Sequence, residues 1–170
     1  CIIRPQVGLL VATETERMAV LKALRPPKGK RAVLQVHLDR NTYYLGRLGL
    51  TDIVLCMTAM GSSARDASTI VTGEVLSAWK VPAVIMVGIA FGKDRRKQAI
   101  GSVLIADRII PYEPQRVGTG RTESRGVEYA ATPVLLNRFR NVLGWHFAAP
   151  NGYACGFQIG PILSGEKLVD

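Results

Sequence analysis

Between Val81 and Phe91 the chain reads VPAVIMVGIAF, its longest apolar run. A strand with one wet face alternates apolar and polar residues, whereas a strand covered on both faces is apolar throughout. The Val81–Val87 part of this run therefore predicts a strand inside a sheet that has layers on both sides. Gly88-Ile89-Ala90-Phe91-Gly92 follows it, and the flanking glycines predict a turn against which a ligand could lie. The run is too short to span a bilayer, and no charged-then-apolar leader opens the chain. The expectation is a soluble, cytoplasmic protein with no membrane association.

Alternating elements surround that strand. VGLLVA (7–12) predicts a second buried strand, and Glu14 to Leu24 a helix with Met18, Leu21 and Leu24 at helical spacing, stopped by Pro26-Pro27. Strands around Ala32–Leu38 and Thr42–Leu48 lead into DIVLCMT (52–58). Ser62 to Trp79 predicts a helix with Ala64, Ala67, Val71 and Val75 along one face. SVLIAD (102–107), a basic and polar loop through Arg125, a helix near Pro133–Leu143 and a strand around Tyr153–Leu163 complete the order. There is no internal repeat and no low-complexity linker. A chain of 170 residues that is 48% hydrophobic can bury a real core as a single domain over 1–170. Strands alternating with helices predict an α/β fold with a mixed, largely parallel central sheet.

The formal charge of +9 comes partly from Lys22-Arg25-Lys28-Lys30-Arg31 and from Lys93-Asp94-Arg95-Arg96-Lys97. Aromatic residues are only 6%, and no helix-turn-helix, zinc-finger or RNA-binding signature accompanies the clusters. They read as solvated loops, and nucleic-acid binding is disfavoured. Cys1, Cys56 and Cys155 are odd in number, far apart and without metal-ligand spacing. That predicts reduced thiols in a core and no metal site. A first residue of Cys1 rather than Met leads to the expectation of a piece of a longer polypeptide.

Ligands of open α/β sheets sit beyond the carboxyl ends of strands. Three such ends stand out: Ala12-Thr13-Glu14-Thr15-Glu16, Thr58-Ala59-Met60-Gly61 and Gly88-Ile89-Ala90-Phe91-Gly92. None matches GxGxxG or GxxxxGK[ST], which disfavours the usual nucleotide folds. Each loop by itself reads equally well as a plain turn.

Taken in order, VGLLVATETER (7–17), TAMGSSA (58–64), VIMVGIAFG (84–92), IGSVLIADRIIPYE (100–113) and GPILSGEKLVD (160–170) carry a resemblance over almost the whole chain. It resembles the purine nucleoside phosphorylase and methylthioadenosine/S-adenosylhomocysteine nucleosidase superfamily. The resemblance is closest to nucleoside phosphorylase-like domains of larger bacterial signalling or defence proteins. It implies a three-layer phosphorylase-like fold, a purine nucleoside or nucleotide as ligand, no cofactor, and a homo-oligomer, dimeric or higher. It places Met60, Gly88, Ile89, Ala90 and Phe91 beside the nucleoside. In the family, the Met-Glu pair that grips the ribose and the aspartate that protonates the purine come beyond the position of Asp170. The expectation is therefore that the C-terminal part of the fold is missing, and Asp170 is not a candidate.

Breaking an N-glycosidic bond builds positive charge on the ribose and negative charge on the leaving purine. A nucleosidase also needs a carboxylate to position and deprotonate water, and the resemblance assigns that role to Glu16, with Glu14 as fallback. The structural alternative for Glu16 is a solvent-facing carboxylate in the first turn of a helix. Family phosphorylases hold phosphate with an arginine and a serine at the places taken here by Met86 and Ile89. Neither side chain can pair with an anion, so hydrolysis is expected over phosphorolysis. The resemblance implies purine stacking at Leu168 and Val169, with core packing as the alternative. Phe91 and Phe157 are further wall candidates, with core packing the favoured alternative for each. Arg116, Arg121 and Arg125 are candidate phosphate contacts through their planar forks, against solvated arginines that touch nothing.

Two readings besides the hydrolase stay open: a non-catalytic nucleotide-sensing or oligomerising module, and, on charge alone, a nucleic-acid-binding domain.

Overall fold

The VGLLVA segment becomes the central strand of a five-stranded sheet. The computed structural model describes residues 3–59, 67–94, 97–111, 115–118, 121–124, 127–145, 147–149, 152 and 154–165. They fall into two units, Cys1–Ile89 and Ala90–Asp170.

In the first unit, β1 (Val7–Val11) is followed by α1 (Glu14–Ala23), β2 (Leu34–Leu38), β3 (Asn41–Leu48), β4 (Thr51–Met57), α2 (Ser68–Trp79) and β5 (Val84–Met86). The sheet order is β2-β3-β4-β1-β5. β1 runs parallel to β4 and β5, whereas β3 is antiparallel to β2 and β4. The β2–β3 connection is tight, with Asp39 at φ +52°, a left-handed conformation that Asp tolerates better than most residues. A parallel partner instead needs a crossover, and α2 supplies it between β4 and β5.

Both faces of β1 and β4 are covered, which is why their sequences do not alternate. On one face Leu10, Val54 and Cys56 pack with Tyr43, Leu45, Val81 and the α2 residues Val71 and Val75. On the other, Leu9, Val11, Ile53 and Leu55 pack with Leu24, joined by the half-buried Val20 and Leu21 of α1. The result is helix, mixed sheet, helix: the three-layer α/β arrangement expected.

Several boundaries differ from expectation. Met18 is 43% exposed and stays out of the core, because α1 turns Val20 and Leu21 inward instead. α2 starts at Ser68, since Ala67 is extended (φ −63°, ψ 155°). Ala67 is nonetheless buried together with Val71 and Val75, while Ala64 lies outside the described residues. β5 is three residues rather than seven. Pro82 has no N–H to give a ladder, and among the described residues β5 pairs only with β1.

In the second unit, β6 (Val103–Pro111) lies between β12 (Phe157–Ser164), its parallel partner, and β9 (Tyr129–Ala130), its antiparallel one. The polar stretch expected as a loop contains an antiparallel ribbon, β7 (Gln115–Gly118) with β8 (Arg121–Ser124), in a register that sets Arg116 opposite Glu123. α3 (Pro133–Arg140) begins with proline at its first position, where the missing N–H costs nothing. It ends at Asn141, three residues before the left-handed Gly144. The strand expected over Tyr153–Leu163 is divided at Gly156. β11 (Ala154–Cys155) pairs with β10 (Phe147–Ala148), and β12 carries a register shift between Gly160 and Pro161.

Cys56 and Cys155 are buried and not joined in a disulfide, and Cys1 lies outside the described residues. Among those residues no helix is long and apolar enough to cross a membrane, and no three His, Cys, Asp or Glu residues group as metal ligands would.

α2 sits so close to β1 that a Cβ at Gly8 would lie 2.9 Å from Cγ1 of Val75 and 3.3 Å from Cγ2 of Val84. Gly8→Ala should therefore lower stability by about 1–3 kcal/mol through overpacking. Gly73, on the exposed side of α2, has nothing within 4 Å, so Gly73→Ala should raise stability by about 0.4–1 kcal/mol. Urea unfolding midpoints of the two variants should move in opposite directions.

Candidate active site

The three parallel strands β4, β1 and β5 end side by side, and their ladder continues one step past each end. Thr58 N donates to Val11 O (2.8 Å), and Val87 N donates to Leu10 O (2.8 Å). Beyond this edge the chain leaves β1 into α1 and leaves β5 into the Gly88-Ile89 turn. Both departures free backbone N–H groups, the first because a helix start leaves four donors without intrahelical partners.

Glu16 satisfies donors from both departures. Its Oε2 accepts from Ala12 N (2.9 Å) and Thr13 N (3.0 Å), and its Oε1 accepts from Ile89 N (2.8 Å). In return, Glu16 N donates to Thr13 Oγ1 (3.3 Å), which makes Thr13 the N-cap of a reciprocal capping box. The sequence signal was Thr-x-x-Glu over 13–16, which a reading of Glu16 from its strand-end place alone passes over. Glu16 stands in the first turn of α1, as the structural alternative has it, but it is half-buried rather than turned out to solvent. Its carboxylate is tied to a turn 73 residues away.

Gly88 belongs to this arrangement through what it lacks. A Cβ there would stand 2.9 Å from Glu16 Oε1, closer than Cβ atoms come to other heavy atoms. Burial by itself would push the Glu16 carboxyl up. The N–H groups of Ile89, Ala12 and Thr13, together with the Thr13 hydroxyl, outweigh that and hold it below its ordinary value of 4.5. The group is ionised at neutral pH. A carboxylate offers about four lone-pair positions; three are filled by protein, and the fourth, on Oε1, can accept from water.

Glu14 points elsewhere, making an exposed ion pair with Arg17 at 2.5 Å. Met86 is 55% and Ile89 82% exposed, so the turn offers apolar side chains and its polar contact comes from the Ile89 backbone. In the second unit Phe91 is exposed, and Phe157 is half-buried with its ring edge-on to Trp145 at 5.9 Å. Arg116 lies on β7 and Arg121 on β8. Met60, Arg125, Leu168 and Val169 lie outside the described residues. The structure thus brings together Glu16, Gly88 and Ile89 of the expected set, and adds Thr13.

Residues 6–167 match the phosphorylase superfamily. Among curated proteins, the chain is 28% identical to a death domain-containing ATP nucleosidase of the sponge Amphimedon queenslandica, covering 95% of this chain and 34% of the relative. Among solved structures, the fold matches S-adenosylhomocysteine nucleosidase of Streptococcus pyogenes, solved with 5-methylthiotubericidin, at TM-score 0.69 and 21% identity. That match covers 98% of this chain and 65% of the other. A methylthioadenosine/S-adenosylhomocysteine nucleosidase of Colwellia psychrerythraea, solved with adenine, matches at TM-score 0.73 and 15% identity, over 97% of this chain and 64% of that one. The chain spans about a third of the length of the curated relative.

The Glu16 geometry sets the sign of a pH effect. A carboxyl held below its ordinary value in the folded state stabilises the fold above the unfolded value, and that contribution disappears as pH falls through the folded value. Glu16→Gln should lower stability at neutral pH by about 0.5–1.5 kcal/mol, because the amide keeps one oxygen acceptor but faces the other side of the grip with an NH2 group. The gap between wild type and variant should shrink as pH drops below the ordinary 4.5. Unfolding midpoints measured from pH 7 to pH 3 check both statements.

Proposed function

The chain belongs to the phosphorylase superfamily, and from that premise we propose that the complete protein is a purine nucleosidase, cleaving the N-glycosidic bond of a purine nucleoside or nucleotide with water. The observation that carries the reading is the ionised Glu16 carboxylate at the shared carboxyl edge of β1 and β5, with one lone pair left for a water molecule. Since the superfamily match runs through 6–167, we read residues 1–170 as one phosphorylase-like domain.

As the glycosidic bond lengthens, the ribose becomes cationic, and a fixed negative charge beside the attacking water stabilises that state. Glu16 holds and orients the water and takes up its proton as the new C–O bond forms. The departing purine carries away the electron pair of the broken bond. Met86 and Ile89 leave phosphate without a side-chain partner at the turn, which favours water as nucleophile. We assign the base side to Met60, Phe91, Phe157, Leu168 and Val169, and the ribose side to the Gly88-Ile89-Ala90 backbone. Arg116, Arg121 and Arg125 are assigned to substrate phosphate. A relative that is an ATP nucleosidase supports a nucleotide substrate. A homo-oligomer, dimeric or higher, extends the resemblance and is tested by light scattering of the complete protein.

Three outcomes follow for the complete protein. Purine should be released without added phosphate, and a strict phosphate requirement would overturn the hydrolase reading. Glu16→Gln should fold but turn over about 10²–10⁴-fold more slowly, whereas near-wild-type turnover would remove Glu16 from the mechanism. AMP or ATP should be cleaved at least as well as adenosine, and Arg116→Ala, Arg121→Ala and Arg125→Ala together should abolish that preference. An adenosine preference untouched by the triple change would exclude the nucleotide.

A further inference from the structure

Glu16 is gripped from two sides that share no sequence neighbourhood, and each side depends on one residue, the N-cap Thr13 of α1 and Gly88 after β5. On the α1 side the residue is Thr13. Its Oγ1 accepts from Glu16 N at 3.3 Å, while its own N donates to Oε2 at 3.0 Å. The hydroxyl closes the first turn in the geometry that curls the glutamate side chain back over Ala12 and Thr13. On the β5 side the residue is Gly88. Its Cα leaves open the space in which Oε1 rests, and a methyl group there would meet that oxygen at 2.9 Å and its carbon at 3.5 Å. The methyl group would crowd the same Oε1 that accepts from the Ile89 N–H at 2.8 Å, so the carboxylate would have to shift.

We propose that Thr13 and Gly88 are paired positioning residues for the Glu16 carboxylate. Thr13 fixes its approach from the helix by a hydrogen bond, and Gly88 admits it to the Ile89 N–H by the absence of a side chain. Neither touches substrate in this role; each acts through Glu16. The proposal rests on Glu16 acting in the nucleosidase reaction, but the placement of the carboxylate can be measured by itself. Misplacing a reacting group by about 1 Å costs on the order of 10²-fold in rate, and losing donors that favour the charged form raises a carboxyl toward its ordinary value.

The test uses the complete protein and three variants. Thr13→Val keeps the side-chain shape without the acceptor, Thr13→Ser restores the acceptor, and Gly88→Ala inserts the obstructing methyl. Carboxyl carbon NMR of Glu16 across pH should show its titration moved upward in Thr13→Val and Gly88→Ala, and restored in Thr13→Ser. Purine release should fall roughly 10–100-fold in kcat for Thr13→Val and Gly88→Ala, with KM changed little in Thr13→Val. The acid limb of the kcat profile should move to higher pH in step with the NMR titration. Thr13→Ser should stay within a few-fold of wild type.

A Glu16 titration unmoved in both folded variants, Thr13→Val and Gly88→Ala, would overturn the proposal. So would a rate loss in Thr13→Val that Thr13→Ser fails to restore. If the wild-type protein releases no purine, the nucleosidase reading fails, and the NMR titration still decides whether these two residues place the carboxylate. Should Gly88→Ala unfold the chain, Thr13→Val against Thr13→Ser carries the decision.

Discussion

One carboxylate closes the edge on which everything at this end of the sheet depends. A parallel sheet delivers its strands to a common boundary where the chain must leave in several directions, and each departure strips backbone groups of their ladder partners. Buried or half-buried N–H groups left unpaired are costly. Glu16 answers two part-buried ones at the start of α1 and also takes the exposed Ile89 N–H in the turn after β5. The same contacts keep the group charged, so cohesion of the edge and the charge of the group have a single origin.

That edge is held at the right depth by the layers on either side. α2 fits against β1 only because Gly8 leaves room for Val75, and α1 is drawn to the opposite face by Val20, Leu21 and Leu24. A second tie fixes α2 to the antiparallel margin. Glu74 accepts from Arg40 at 2.5 Å and from Asn41 at 2.6 Å, beside the β2–β3 turn. The helix that carries the chain from β4 to β5 is thereby tied to the β2–β3 end of the sheet.

Much of this was legible in the residues. Continuous apolar runs in VGLLV and DIVLC encode strands with two covered faces, and Val71 and Val75 at helical spacing encode the face of α2. What could not be read were consequences of distance in sequence. The Glu16–Ile89 bond joins residues 73 apart, and no local pattern signals it. Met18 shared the spacing of Leu21 and Leu24, but a helix meeting a twisted sheet chooses one stripe, and the choice fell on Val20 and Leu21. The strand over Val81–Val87 was overdrawn because composition registers hydrophobicity but not the missing donor of Pro82. The polar stretch before Arg125 hid a ribbon because alternating charge and threonine fit a two-stranded hairpin as well as a solvated loop. The resemblance to the superfamily supplied the register that singled out Glu16, and the structure supplied the reason its carboxylate is held where it is.

For the nucleosidase reaction we propose, a carboxylate kept below its ordinary value looks at first like a poor choice for deprotonating water. The difficulty dissolves when the order of events in N-glycosidic cleavage is considered. The barrier lies mainly in lengthening the bond and creating a ribosyl cation, toward which even neutral water is reactive, so little basicity is needed when attack begins. What is needed throughout is a negative charge that does not reorganise, because preorganised charge acts without having to turn into place as the reaction proceeds. Three backbone donors provide that fixity more firmly than mobile side chains could. As attack completes, the water proton becomes strongly acidic, and transfer to a weak base becomes downhill. A more basic, less tethered glutamate would gain affinity for the proton at the end of the reaction while losing electrostatic stabilisation at its peak. The backbone cradle therefore suits a reaction whose transition state is governed by charge on the sugar, and the fold forms that cradle by bringing two strand ends to one side chain.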